Sequence, residues 1–104
     1  MINGKQRAYL RGLANGIDPV FQIGKSGITD EIIKQLKLVL DARELIKVRI
    51  LETALLDTKE TCNLIAERLN AEPVQAIGSK FVIYRRSDNV KNRKIELPKV
   101  NKKK

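Results

Sequence analysis

The 104-residue chain has no histidine, no tryptophan and one cysteine, and these gaps close off much of chemistry at once. Without histidine, and with Cys62 standing alone, the usual zinc ligand sets cannot be assembled and no internal disulfide can form. No imidazole is available to activate a nucleophile, and the carboxylates are scattered rather than paired. The inventory for general acid–base or covalent catalysis is therefore missing. The reading is of a non-enzyme with no cofactor, no metal and no small-molecule substrate. No apolar run approaches the roughly 20 residues that cross a bilayer. The N-terminus Met1-Ile2-Asn3-Gly4-Lys5-Gln6-Arg7 lacks the apolar core of a signal peptide. A cytoplasmic protein with no membrane partner is expected. Aromatic side chains are also scarce, with two Phe and two Tyr. Base stacking is thus a minor theme, and Phe21 and Phe81 are assigned to the core.

What the chain does have is positive charge: 21 Lys plus Arg against 12 Asp plus Glu, a formal net charge of +9. That excess is the footprint of a polyanion binder. The hydrophobic content of 42% is ordinary for a folded protein. Leu10, Leu13, Ala14 and Ile17 fall on one face of a helix from Lys5 to Ile17, which carries Lys5, Arg7 and Arg11 on its wet side. Val20–Ile23, bounded by Pro19 and Gly24, reads as a buried strand. Thr29 is a good N-cap for a second helix whose first turn holds Asp30 and Glu31. From Leu45 to Leu51, Ile46, Val48 and Ile50 alternate with Lys47 and Arg49, a strand with one basic face. Asp57 and Glu60 have capping-box spacing at the start of a third helix that runs to about Asn70 and places Cys62 on its apolar side. Two strands around Gly78-Ser79 form a hairpin.

The order α-β-α-β-α-β-β gives an α/β fold, a mixed four-stranded sheet packed against helices. After Arg86 the composition shifts, with seven cations against two acids from Ser87 to Lys104. So few large apolar residues cannot offset the entropy of ordering. Residues 1–86 are therefore read as one domain and 87–104 as a flexible basic tail.

The Gly24-Lys25-Ser26-Gly27 loop joins a strand to a helix N-terminus, where backbone N–H groups and the helix dipole can meet a phosphate. By itself a G-x-x-G pattern is a weak signal that more often marks only a tight turn, and it lacks the spacing of a nucleotide-triphosphate loop. In a basic chain the loop becomes a candidate backbone clamp. A second candidate surface joins Lys5, Arg7 and Arg11 to Lys47 and Arg49, with Arg85 and Arg86 at the end of the last strand. The alternative reading is a basic protein-interaction module whose tail touches anionic partners or membrane.

Three stretches, Gly4–Arg11, Pro19–Thr29 and Glu44–Arg49, together with Gln75–Arg85, resemble the CRM domain, the YhbY-like RNA-binding family, over essentially residues 3–86. The resemblance implies a fold similar to the C-terminal domain of bacterial translation initiation factor three. It also implies RNA contact through Gly24, Lys25, Ser26 and Gly27 and the basic residues Lys5, Arg7 and Arg11. Stand-alone bacterial members of this family associate with precursors of the large ribosomal subunit, and a single domain of this length is similar to them. The partner so implied is ribosomal RNA, bound by a monomer.

Overall fold

The computed structural model describes residues 2–98. Helix α1 (Gly4–Ala14) opens with a capping box in which the Asn3 side chain accepts the Gln6 N–H and the Gln6 side chain accepts the Asn3 N–H. It closes a turn earlier than the periodicity predicts, because the Asn15, Gly16 and Ile17 amides continue as tight turns. Strand β1 (Pro19–Ile23) leads to α2 (Asp30–Arg43), β2 (Leu45–Ile50), a 3₁₀ turn (Glu52–Ala54) and α3 (Thr58–Arg68). Strands β3 (Glu72–Ile77) and β4 (Lys80–Tyr84) make the hairpin. As expected, α2 is capped by Thr29, whose hydroxyl accepts the Ile32 N–H, and α3 by Asp57, which accepts the Glu60 N–H. Asn70 ends α3 in a left-handed conformation while its own N–H and that of Ala71 bond back to Glu67 and Ala66.

The sheet order is β1-β2-β4-β3, with β1 parallel to β2 and the other pairs antiparallel. One face carries Ile46, Val48, Ile50, Phe81 and Ile83, covered by Leu36 and Leu40 of α2 and Cys62, Ile65 and Ala66 of α3. On the other face Leu45, Val74, Val82 and Tyr84 meet Leu10 and Ala14 of α1. That single helix is too narrow to cover four strands, so part of the second face stays open.

The expectation of a flexible tail from residue 87 is corrected over 87–98, which fold back as a strap beside α1. The cause is Glu44, fully buried at the α2–β2 junction. Its carboxylate accepts the N–H groups of Ser87 (2.8 Å), Lys94 (2.9 Å) and Ile95 (3.1 Å). Ile95 and Leu97 pack on the second core, and the Gln6 side chain donates to the Pro98 carbonyl. Asp41 accepts from the Asp88 N–H and the Ser87 hydroxyl, bonds that hold its carboxyl below the usual carboxylate range. Residues 87–98 of the expected tail are thus hydrogen-bonded to the body of the fold. The Lys102–Lys104 run of the expected tail lies outside the described residues.

Candidate nucleic-acid interface

The Gly24–Gly27 loop leaves β1 at its C-terminal end and turns directly into the Thr29 cap of α2. The Gly27 N–H donates to the Gly24 carbonyl at 2.9 Å, closing the turn, and Gly27 sits at φ +70°. Lys25 and Ser26 at the apex are exposed. The two glycines have different duties. A side chain at Gly27 would meet left-handed strain, whereas a Cβ at Gly24 would touch Leu51 Cδ1 at an ordinary 3.5 Å. Gly27→Ala is expected to cost about 1–2 kcal/mol in urea unfolding, and Gly24→Ala to leave the midpoint nearly unchanged. If RNA packs on the Gly24 backbone, Gly24→Ala will nonetheless weaken RNA binding; equal affinity would remove Gly24 from the site.

Other elements converge on the same end of the sheet. The Leu51 N–H donates to the Ile23 carbonyl at 2.8 Å and the Ile50 N–H to the Ser79 carbonyl at 2.7 Å. The Thr58 hydroxyl holds the Gly78 carbonyl at 2.7 Å. Glycine loop, 3₁₀ turn and hairpin tip are thus gathered side by side.

The open part of the second face begins here. Alternation along β2 turns Lys47 and Arg49 away from the helices that cover Ile46, Val48 and Ile50. The register sets Arg49 directly opposite Lys80 on β4 and Gln22 on β1, and Lys47 opposite Val82. Asn15, Lys47, Gln75, Ile77, Lys80 and Val82 line a depression of about 350 Å³ on this face. Two like charges directly across a strand pair repel, at a cost of roughly 0.2–1 kcal/mol. Among the described residues the ion pairs are Arg68–Asp30 and Arg85–Asp88, and neither touches this surface. Exposed Glu52 in the neighbouring turn offsets part of the local charge.

The residues singled out from sequence separate into groups. Lys47 and Arg49 share the open face, and Lys25 and Ser26 stand at its end. Lys5 and Arg11 are exposed on α1. Arg7 is half-buried, and its Nε donates to the Pro73 carbonyl at 3.1 Å, pinning α1 to the start of β3 at the end of the sheet away from the loop. Arg85 does not join Lys47 and Arg49. It lies beyond Tyr84 on the α2 side, paired with Asp88 at 3.1 Å, in a hollow it shares with Lys34, Lys37 and Asp41. Lys80, which sequence reasoning did not single out, stands on the same open face; its place two positions before Val82 in an alternating strand is the signal that would have put it there.

Cys62, assigned to the core from sequence, is 2% exposed. Burial pushes its thiol up to about 11. At pH 8 only about one molecule in a thousand then carries a thiolate. A thiol reagent should label the native protein no faster than it unfolds. Rapid stoichiometric labelling, followed by mass spectrometry, would contradict this placement.

Residues 2–85 match the family model of the CRS1 / YhbY (CRM) domain. The chain is 40% identical over 98 residues to "Probable RNA-binding protein YqeI" of Bacillus subtilis, covering 94% of this chain and 100% of that protein. It is 35% identical over 99 residues to an RNA-binding protein of Haemophilus influenzae, covering 94% and 96%. A Staphylococcus aureus protein solved in solution, described as an RNA-binding candidate, superposes with a TM-score of 0.78 at 51% identity, covering 94% of this chain and 100% of that one.

Proposed function

Because the chain belongs to the CRS1 / YhbY (CRM) domain family, we propose that it is a non-catalytic RNA-binding protein that grips the RNA backbone with the glycine loop and the open basic face beside it. The observation that carries this reading is the Lys47–Arg49–Lys80 cluster, half-buried at Lys47 and exposed at Arg49 and Lys80, without acid partners among the described residues, next to a glycine turn that presents Lys25 and Ser26. Lysine and arginine at this spacing suit phosphates and do not by themselves read bases. Relatives named as RNA-binding proteins support the same ligand class. The resemblance to stand-alone bacterial members further supports ribosomal RNA in large-subunit precursors as the partner, met by a monomer in the cytoplasm. No helix among the described residues is long and apolar enough to cross a membrane.

Binding to ribosomal RNA and to duplex DNA across a salt series tests the proposal. Four to six phosphate contacts give a slope of log affinity against log salt of about −3 to −5, with DNA weaker throughout. Equal binding of both would reduce the protein to an unspecific polycation. Gradient sedimentation of cell extract tests the ribosomal part, which fails if the protein is absent from every large-subunit precursor fraction at low salt.

A further inference from the structure

The family match stops at residue 85, yet the strap that follows is held in place and carries its own charge. Where it crosses the end of β4 it borders a half-open cavity of about 460 Å³ lined by Tyr84, Arg86, Arg93 and Lys94, with Glu44 and Glu96 as the acids. The Glu44 carboxylate is already occupied by three backbone N–H groups. That leaves exposed Glu96 against three exposed cations. Arg86, Arg93 and Lys94 take part in no ion pair among the described residues. Arg93 Nε donates to the Ser87 carbonyl at 2.8 Å, which orients the guanidinium and leaves its two Nη groups uncommitted among the described residues. Burial and Glu44 push the Tyr84 hydroxyl up, while Arg86 and Arg93 pull it down, so both guanidinium groups act on one point.

We infer that this strap cavity is a second phosphate-binding site, which holds the RNA backbone at the opposite end of the sheet from the glycine loop. The inference rests on the RNA-binding reading above and adds a second point of contact to it. Guanidinium forks fit phosphate oxygens in a bidentate way, and Lys94 supplies a further point charge. Strand β2, six residues long, separates the two ends by about 20 Å. At about 3.4 Å per stacked nucleotide, an RNA must exceed roughly six nucleotides to reach both. The strap joins the fold through backbone N–H groups on Glu44, so the site exists only while that clasp is closed.

The test uses the full chain carrying Arg86→Ala and Lys94→Ala, substitutions that leave every hydrogen bond of the strap in place. Protection of the Ile95 amide from exchange shows that the strap remains docked. Against an RNA hairpin of about 20 nucleotides, the double variant should lose about tenfold in affinity and its salt slope should flatten by about 1.5–2. Against an RNA of about four nucleotides it should match the wild type. Inorganic phosphate, titrated at constant ionic strength, should move the strap amide resonances only weakly. Unchanged affinity and slope on the long RNA, with binding still lost when Lys47, Arg49 and Lys80 are removed, overturns the strap site and leaves the RNA-binding reading standing. Tight saturation by inorganic phosphate with no effect on RNA makes it a free-anion site and also overturns the inference. Failure of the wild type to bind the long RNA overturns both.

Discussion

Replacing Glu44 by Gln is expected to lower the stability of the fold by about 3 kcal/mol, a large share of what a domain of this size has. The glutamate accepts three backbone N–H bonds from a fully buried position. A glutamine amide offers one acceptor oxygen and turns an NH₂ toward donors, so at least one strap amide is left buried without a partner. Charge-assisted bonds to a carboxylate are also roughly twice as strong as neutral ones. Backbone strain supplies a control, because Glu44 lies at φ +69° where glycine would be at ease. If strain dominated, Glu44→Gly would stabilise the protein; the clasp predicts that it destabilises. Urea midpoints at unchanged m, with amide exchange at Ser87, Lys94 and Ile95, provide the measurement. Unaltered midpoints and continued protection of those amides in the glutamine variant would show that the strap is held by something else.

The second large effect concerns ligand affinity. Removing Lys47, Arg49 and Lys80 together should weaken RNA binding about 100-fold at low salt and flatten the salt slope by about 2–3, one phosphate contact per cation. Stability should hold or rise slightly, since Arg49 and Lys80 oppose each other across the β2–β4 pair without an acid between them. A change in affinity without a loss of midpoint is the signature of a surface kept for a ligand. Substituting Lys5 and Arg11 instead should have a smaller effect, because α1 starts at the end of the sheet away from the glycine loop. Affinity that depends on Lys5 and Arg11 more than on the sheet face would relocate the site to α1.

Much of the architecture was legible in the residues. Period-two alternation from Leu45 to Ile50, the Thr29 and Asp57 caps and the Gly78-Ser79 turn each reflect forces acting within a few residues, so they appear where the pattern puts them. The resemblance to the CRM family likewise led to the right sheet and the right family. Composition alone argued against order in the strap, whose few large apolar residues, Val90, Ile95 and Leu97, stand among many cations. Its order comes from a carboxylate about fifty positions earlier in the chain, a partner that local composition cannot register.

The sequence by itself determined the elements, their order and the surplus of positive charge, because propensity, periodicity and capping are local. Only the tertiary structure decided which cations meet. Strand register set Lys80 against Arg49, and the fold sent Arg85 round to Asp88 and engaged Arg7 with the Pro73 carbonyl. It also turned Glu44, which on sequence grounds is one acid among twelve, into the clasp of the C-terminal strap. Pairing across a sheet joins residues tens of positions apart, and the energy of such a pair depends on geometry that appears only after the chain has folded.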